Sequence, residues 1–287
     1  MPLIALSAVL LAALLHAIWN VIAKRATGSR HFVWLYSLAS LVIWAPALGY
    51  VLATAGPPTR PIEWLALLAT GVLHLGYAVC LQAGYRAADL SIVYPIARGF
   101  GPLLSFAGAV ILLGDRYTQL SLAGLLLIVA GIALVSGLVE RARRIHWSGV
   151  RWGLVTGAFI AGYTLNDGWA VRALVLSPIM IDYFGHLVRF VVLLPRAARD
   201  RERLVFETRA YAWSAIGVGA LAPLGYILVL VAMRVAPVSH VAPARELATL
   251  VGAYLGSRVL REAVGPARIL GAAGIVGGIV CLALSRY

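Results

Sequence analysis

Two arginines stand inside long apolar stretches of the sequence, where charged side chains are rare. Arg98 and Arg245 are separated by an offset of 147 residues, and each closely follows a proline, Pro95 or Pro243. A guanidinium offers paired donors that fit a carboxylate or a phosphonate. Proline in an apolar helix frees a backbone carbonyl and kinks the helix. The pair therefore predicts a site for a small anionic or zwitterionic solute.

Further charges lie in the same kind of stretch. They are Arg189 and three acids, Asp167, Asp182 and Glu246. A charge at the centre of a bilayer costs at least ~2.5–3.5 kcal/mol, so each is a functional candidate. The equal number of each sign also allows internal salt bridges that only fix helix packing. We expect Glu246 and Asp167 to orient the arginines or to bind an amine.

Asp182, His186 and Arg189 follow i, i+4, i+7 spacing, so they lie on one face of a helix. This spacing favours a local ladder of ion pairs. Carboxylates and histidines inside a membrane also take up protons in proton-coupled carriers. The predicted proton or ion-pair set is Asp167, Glu246, His74, Asp182, His186 and Arg189.

Other polar side chains share helix faces with these charges. His16 lies four residues before Asn20, and Tyr163 lies four residues before Asp167. This spacing places each pair on one side of a helix. The full predicted substrate-binding set is Arg98, Arg245, Glu246, His16, Asn20, Tyr77, Tyr94, Tyr163, Asn166, Asp167 and Tyr226.

Sequence signatures of enzymes are missing. The chain has no phosphate-binding P-loop, no G-x-S-x-G nucleophile elbow and no H-E-x-x-H zinc site. Its two cysteines, Cys80 and Cys281, lie in apolar runs and form neither a metal-ligand spacing nor a disulfide framework. We therefore expect no catalytic residue, no metal site and no cofactor.

The composition is that of an integral membrane protein. Of the 287 residues, 62% are hydrophobic and 12% are charged, about half the ~25% charged share of a soluble domain. The net charge of +13 comes from loops between apolar runs. Anionic lipid headgroups are therefore the expected partner, and nucleic acid is not.

Ten apolar runs are long enough to cross the hydrocarbon core, which takes about 20 helical residues. The expected fold class is an all-α membrane protein of ten transmembrane helices. The connections are short, and the longest, 196–209, is rich in arginine. The predicted spans are 3–23, 31–53, 62–85, 90–113, 118–138, 150–171, 178–195, 210–233, 238–257 and 264–284.

The two halves of the sequence, 1–146 and 147–287, resemble each other. The offset of 147 pairs similar residues along the chain, which is typical of internal repeats. Because each half contains five spans, an odd number, the second half must enter the membrane upside down. Inverted repeats are the plan of secondary transporters, with the solute site near the midplane. The matched pairs include Asn20 with Asp167, Arg25 with Arg172, Tyr36 with Tyr183, Arg98 with Arg245, Asp115 with Glu262, Gly124 with Gly271 and Gly131 with Gly278.

The charge of the loops predicts the orientation. The odd-numbered loops hold sixteen Lys and Arg residues, whereas the even-numbered loops and the tails hold five. Positively charged loops stay in the cytoplasm. We therefore expect a multi-pass protein of the cell inner (plasma) membrane with both termini outside the cytoplasm.

Several short motifs recur at the ends of spans. Each half places an acid before its last span, Asp115 in Leu-Gly-Asp and Glu262 in Leu-Arg-Glu. The first span contains His16-Ala-Ile-Trp-Asn20, and Arg98 lies in Tyr-Pro-Ile-Ala-Arg-Gly. With these motifs the sequence resembles, over almost its full length, the EamA type of the drug/metabolite transporter (DMT) superfamily, including a subgroup with an H-A-x-W-N signature.

The resemblance implies ten spans in two repeats and transport of a metabolite. Some members of the subgroup are associated with phosphonate utilisation, which agrees with the two arginines. Many relatives are thought to keep both termini in the cytoplasm. The loop charges of this sequence favour the opposite orientation.

The expected function is secondary transport of a small anionic or zwitterionic metabolite by alternating access. Spans one, three, four, six, eight and nine are expected to line a central cavity. One alternative is an exporter of amino acids or aromatic metabolites. Its cage would consist of His16, Tyr77, Tyr94, Tyr163 and Tyr226. Alternatives of another class are a lipid flippase or scramblase and a non-transporting membrane scaffold.

The last span contains Gly274 and Gly278 in a G-x-x-x-G pattern. Such a glycine face allows close contact between helices. One expectation is a homodimer through the last helix, and the other is packing within the monomer.

Overall fold

The computed structural model describes residues 1–26, 28–88, 90–138, 147–251 and 265–285, with the backbone alone at 90 and 91. All regular secondary structure within these residues is helical. The helices are α1 (Leu3–Lys24), α2 (Phe32–Ala55), α3 (Pro61–Ala87), α4 (Leu90–Leu112), α5 (Gln119–Val135), α6 (Trp147–Arg172), α7 (Pro178–Arg199), α8 (Arg201–Val235), α9 (Val238–Ala244) and α10 (Pro266–Leu284).

Most of these helices have the length and composition of membrane spans. Seven of those described, α1, α2, α3, α4, α7, α8 and α10, are long and apolar enough to cross a bilayer. α5 is also apolar but has 17 residues. α6 has 26 residues and buries polar side chains in the protein, among them Thr156, Thr164 and Asp167. The expected all-α membrane fold of ten helices is confirmed.

The connection predicted at 196–209 is helical, so this part of the prediction was wrong. α7 continues to Arg199, and α8 begins at Arg201 after a single residue. The segment contains neither glycine nor proline, which removes the usual signals that stop a helix. Nε of Arg203 donates to Oε1 of Glu207 at 2.8 Å, and such i, i+4 pairs stabilise a helix.

The ninth span is interrupted next to Arg245. α9 ends at Ala244, a turn follows at residues 245 and 246, and helical backbone resumes at Leu247. Pro243 disfavours a continuous helix because it lacks an N–H donor and its ring crowds the preceding turn. The N–H of Glu246 bonds to the Pro243 carbonyl at 3.0 Å, the tighter i→i−3 pattern. Interrupted helices of this kind form ligand sites in transporters.

Glycines of α5 and α10 show how the two halves are related. A Cβ atom at Gly124 would lie 2.7 Å from the carbonyl oxygen of Gly278, and one at Gly131 would lie 2.6 Å from that of Gly271. These contacts make α5 and α10 antiparallel. The offset of 147 exchanges the two contacts, because it relates Gly124 to Gly271 and Gly131 to Gly278. Equivalent helices thus run in opposite directions about a pseudo-twofold axis, as inverted repeats require.

The two halves interlock. α1 packs against α8 and, by the same symmetry, α6 packs against α3. Across the axis, α2 packs against α7 and α5 against α10. Two bundles therefore flank the axis, and each contains helices from both halves. We call them the first bundle (α3, α4 and α6) and the second bundle (α1, α8 and α9). The repeat relates α9 to α4 and thereby assigns it to the second bundle, although α9 also packs against α4.

The glycines of the last helix, α10, pack against α5 of the same chain. Besides Gly271 and Gly278, Gly274 also faces α5, since its Cβ position lies 3.3 Å from the carbonyl oxygen of Leu127. Within the described part of the chain, the Cβ position of Gly277 has no heavy atom within 4 Å. A homodimer through the last helix would therefore have to use a different face of α10, and it stays a prediction.

Candidate solute-binding cavity

A cavity of about 190 Å³ lies between the two bundles. Its wall comes from α1, α2, α3, α4, α6, α7, α8 and the residues after α9. The predicted set of lining spans was incomplete, because α2 and α7 also contribute. The polar and aromatic side chains of the wall are His16, Trp19, Tyr36, His74, Tyr77, Arg98, Tyr163, Asp182, His186, Arg189, Tyr226 and Arg245.

Arg98 reaches this cavity from α4 and is neutralised there. Its Nε lies 3.0 Å from Oε2 of Glu246, and both side chains are buried. Nη2 of Arg98 donates to the Thr249 hydroxyl at 3.4 Å, and Thr249 donates to Glu246 at 3.1 Å. The Tyr94 ring lies 5.6 Å from the guanidinium carbon, within cation–π range. The ion pair therefore joins the first bundle to the second.

Arg245 reaches the cavity from the turn after α9, and no described carboxylate lies within salt-bridge distance of it. In the described part of the chain it makes one hydrogen bond, from Nη2 to the Tyr163 hydroxyl at 3.3 Å. Its Nε is buried without a partner there. Because a guanidinium carries five N–H donors, most of the donors of Arg245 are available to a solute.

Aromatic rings form the wall beside Arg245. The rings of Tyr163 and His74 stack with their centroids 4.1 Å apart. Tyr226 meets His74 edge-on at 5.1 Å, and Tyr77 meets Tyr163 edge-on at 5.9 Å. Stacked and edge-to-face contacts of this kind are favourable beyond simple burial. They hold the ring of Tyr163 in place under the guanidinium of Arg245, 5.5 Å from its centroid.

Asp167 is fully buried behind this aromatic wall and does not line the cavity. Its Oδ1 accepts hydrogen bonds from the Thr70 hydroxyl and, at 2.9 Å, from the Asn166 amide. Its Oδ2 accepts from the Tyr226 hydroxyl at 2.6 Å and lies 3.3 Å from Nε2 of His74. With three donors and a histidine nitrogen around it, this carboxylate positions the aromatic wall.

The three residues of the predicted ion-pair ladder on α7 all line the cavity, but they do not form a continuous series of ion pairs. Nε2 of His186 lies 3.7 Å from Oδ2 of Asp182. Arg189 instead donates to the Gly185 carbonyl at 3.1 Å and to the Tyr36 hydroxyl at 3.3 Å. Among the described residues Arg189 makes no ion pair, so the mutual pairing that the equal number of charges allowed is seen for Arg98 alone of the three arginines.

Several predicted binding residues do not line the cavity. Asn20 is exposed on α1, and its amide donates to the His16 carbonyl at 2.7 Å. The amide of Asn166 donates to the Ala66 carbonyl at 3.1 Å and to Oδ1 of Asp167 at 2.9 Å. The predicted residues outside the wall are Asn20, Asn166, Tyr94, Asp167 and Glu246. The predicted residues that the structure brings together in the wall are His16, Tyr77, Arg98, Tyr163, Tyr226 and Arg245.

The sequence profile of the EamA-like transporter family matches this chain twice, over residues 3–137 and 147–284. The chain belongs to the EamA-like transporter family. It is therefore a multi-pass membrane transporter of the DMT superfamily and not an enzyme. One family domain lies in each half, consistent with the repeat seen in the structure.

A solved crystal structure shares the fold of this EamA-like transporter. Its TM-score is 0.75, with 19% sequence identity, over 98% of this chain and 97% of the other. At this identity the similarity shows the fold alone. No curated protein is similar enough in sequence to match this chain.

The acid that the family resemblance pointed to in the first half, Asp115, joins helices. Its Oδ1 accepts from Nη1 of Arg172 at 2.5 Å, and its Oδ2 accepts from the backbone N–H of Ser239 at 2.9 Å. It thereby fastens the end of α6 to the start of α9. Its counterpart Glu262 lies outside the described residues.

Two aromatic residues of the transporter's cavity were not predicted. Trp19 lies edge-on to His16, with centroids 4.7 Å apart, and Tyr36 lies edge-on to His186 at 6.0 Å. The internal repeat pointed to Tyr36, because the offset of 147 pairs it with another tyrosine, Tyr183. Trp19 follows His16 by three residues, a same-face spacing. However, tryptophan in a span is more typical of an interfacial anchor.

Metal chemistry has no support in the part of the chain that the structure describes. No group of three His, Cys, Asp or Glu side chains there is arranged to hold a metal ion. Cys80 and Cys281 are free and lie on different helices, α3 and α10. Guanidinium, carboxylate and aromatic groups therefore define the chemistry of the cavity.

Proposed function

We propose that this transporter carries a small anionic or zwitterionic metabolite across the membrane by alternating access, with Arg98 and Arg245 in the central cavity. The first and second bundles would rock about the pseudo-twofold axis and open the cavity to one side at a time. A cavity of about 190 Å³ suits a metabolite of a few heavy atoms better than a lipid, which makes a flippase or scramblase the weaker alternative.

The observation that carries this proposal is that no described carboxylate lies within salt-bridge distance of Arg245. It lines the cavity, has a buried Nε without a described partner, and makes its one described hydrogen bond to a neutral phenol. A buried charge without a counter-charge is costly. An anionic solute would supply that counter-charge and accept bidentate, charge-assisted hydrogen bonds.

We assign Arg98 a different part in the same cavity. Glu246 already neutralises it at 3.0 Å, so it contributes less attraction for an anion than Arg245 does. Its ion pair crosses from α4 to the turn after α9 and therefore links the two bundles that would move. Arg98 is accordingly proposed to control the closure of the cavity beside the bound solute.

The aromatic wall favours a second candidate function, export of amino acids or aromatic metabolites. Of the five residues predicted to form a cage, His16, Tyr77, Tyr163 and Tyr226 line the cavity. Their rings offer faces and edges on which a planar solute stacks favourably. Tyr94 lies outside the wall and contacts Arg98 instead.

A thermal-shift screen of the purified protein tests the proposal. The solutes are carboxylic acids, phosphonates, organic phosphates, amino acids and aromatic amines. A ligand of the folded form raises the melting temperature by mass action. We expect organic anions to raise it for the wild type and not for Arg245→Gln. Arg86→Gln is the matched control, because Arg86 is exposed at the end of α3 and away from the cavity wall.

Transport is then measured as counterflow of the stabilising anion in proteoliposomes. We expect Arg245→Gln to lose exchange and Arg86→Gln to keep it. An Arg245→Gln protein that folds, binds and exchanges organic anions like the wild type would overturn the proposal. Stabilisation by aromatic amines alone, unchanged in Arg245→Gln, would favour the second candidate.

The proposed location is the cell inner (plasma) membrane, with repeats at 1–146 and 147–287 and both termini outside the cytoplasm. This orientation rests on the excess of Lys and Arg in the odd-numbered loops. Reporter fusions to the C-terminus test it. An active alkaline phosphatase fusion together with a dark green fluorescent protein fusion is expected, and the reverse result would invert the orientation.

A further inference from the structure

Three acids were predicted inside the membrane spans, and two of them are already occupied. Glu246 pairs with Arg98 through Oε2 and lies outside the cavity wall, with its Oε1 buried and without a described partner. Asp167 is surrounded by Thr70, Asn166, Tyr226 and His74, and it does not line the cavity. Neither acid therefore lines the cavity where the amine of a solute would bind, and of the two roles expected from the sequence Glu246 is placed to orient an arginine.

The third acid, Asp182, is placed differently. It lies on α7 in the cavity wall and is 7% exposed. No described residue donates a hydrogen bond to its carboxylate, and the described group closest to pairing, Nε2 of His186, lies 3.7 Å away. That distance exceeds the range of a hydrogen bond. A carboxylate accepts about four hydrogen bonds, so one that lines the cavity and receives none from the described residues is open to donors from a solute.

Neither basic residue near Asp182 donates a hydrogen bond to it. Arg189, two turns further along α7, donates to the Tyr36 hydroxyl and the Gly185 carbonyl. His186 is buried and lies edge-on to the Tyr36 ring. Asp182 is also not part of any described group of three metal-ligating side chains. A partner from outside the chain with several N–H donors and one positive charge fits this site best.

We propose that Asp182 binds the ammonium group of a zwitterionic substrate whose carboxylate or phosphonate lies at Arg245. This inference rests on the proposed function and deepens it, because it defines the substrate class as compact amino acids or aminophosphonates. An ammonium has three N–H donors, which matches a carboxylate that receives none from the chain. Both ends of such a molecule find an incompletely satisfied opposite charge in the wall of one cavity.

Matched pairs of probes test this assignment with the full-length protein at pH 7. One pair is β-alanine and propionate, and the other is 2-aminoethylphosphonate and ethylphosphonate. Within each pair only the amine differs. Affinities come from thermal shift and from inhibition of counterflow. We expect the wild type to prefer the amine of at least one pair by tenfold or more, and the pair that binds identifies the anionic group.

Variants separate the two ends of the site. Asp182→Asn should remove the preference for the amine while retaining the affinity for its deaminated analogue. Arg245→Gln should abolish binding of both members of the pair. Asp200→Asn is the matched control, because the Asp200 side chain is 41% exposed and lies outside the cavity wall; it should keep the wild-type preference.

A wild-type measurement keeps the test decisive even if Asp182→Asn does not fold. The trimethylated form of the amine that binds keeps the positive charge but has no N–H donors, so it should bind at least tenfold more weakly than the primary amine. Equal affinity for the amine and its deaminated analogue, or an unchanged preference in Asp182→Asn, would overturn the role of Asp182 and leave the proposed function standing. Unchanged binding of the deaminated anion in Arg245→Gln would overturn the proposed function itself.

Discussion

Arg98 and Arg245 occupy matching positions in the two repeats, yet their electrostatic surroundings differ. Glu246 lies 3.0 Å from Arg98, whereas the residue that the repeat relates to Glu246 is Gly99. Because this acid is present in one half only, the charges of the cavity are arranged asymmetrically although the helices are arranged symmetrically. Repetition of the helices therefore does not imply repetition of the binding chemistry. This asymmetry also explains why we assign the solute to Arg245.

Removal of the acid is expected to have the largest effect. Glu246→Gln leaves Arg98 buried without a counter-charge, and breaking a buried pair in this way costs about 3–5 kcal/mol. We expect a fall in the melting temperature of the detergent-solubilised protein larger than that caused by any substitution below. Fluorescence-detected thermal unfolding measures it.

The double variant Arg98→Gln/Glu246→Gln is the control, since it removes both charges of the pair. It should recover most of the stability that Glu246→Gln loses. A Glu246→Gln protein that melts like the wild type would show that the pair contributes nothing, and the contrast between the two arginines would disappear.

Providing Arg245 with an acid should make it resemble Arg98. Gly99→Glu introduces a carboxylate at the position that corresponds to Glu246, and the new Cβ has room, with a Val129 methyl at 3.6 Å. Because a charge-assisted hydrogen bond contributes about 1.5–3 kcal/mol, the competing acid should weaken organic-anion binding at least about tenfold. Thermal-shift titration measures the affinity. Gly99→Gln has the same size without the charge, and an equal loss in both variants would attribute the effect to crowding.

A smaller effect is expected from the phenol that Arg245 contacts. Tyr163→Phe removes the hydroxyl that accepts from Nη2 at 3.3 Å and keeps the ring. A hydrogen bond of this kind contributes about 0.5–1.5 kcal/mol, so anion affinity should fall about two- to tenfold. Titration of the same anion into Tyr85→Phe, a tyrosine of α3 outside the cavity wall, provides the baseline. Equal affinities of the two variants would remove Tyr163 from the site.

The smallest effect on binding is expected on the Arg98 side. Tyr94→Leu removes the ring that lies 5.6 Å from the Arg98 guanidinium. Loss of a cation–π contact lowers stability by about 0.5–2 kcal/mol, so the melting temperature should fall modestly while anion affinity stays unchanged. If Tyr94→Leu weakened binding as much as Tyr163→Phe does, the two arginines would be equivalent for the solute.

The fold was predictable because its signals are long and repeated. Apolar runs of membrane length mark the spans, and the offset of 147 relates Gly124 to Gly271 and Gly131 to Gly278, where helix backbones meet. The start of α8 at Arg201 was missed. The first turns of this helix are polar, and hydropathy reports only the apolar part of a helix.

The charged residues of the candidate site could be predicted, because a charge within an apolar run is conspicuous. Which side of each helix faces the cavity could not be predicted. His16 and Asn20 share a helix face by spacing, yet only His16 lines the cavity. Periodicity describes one helix, whereas its rotation against its neighbours is set by packing. For the same reason, spacing alone did not show that Arg189 turns to Tyr36 and leaves Asp182 without a donor.

The exchange of partners between α1 and α6 has a mechanical consequence. α1 completes its contacts on α8 and α6 completes its contacts on α3, so each half of the polypeptide contributes its opening helix to the opposite side. A cut in the chain after residue 146 would leave each fragment without the helix that finishes its assembly. The sequence repeats are therefore not the units that move. In the proposed cycle each bundle tilts as one body, and each bundle combines helices from both repeats.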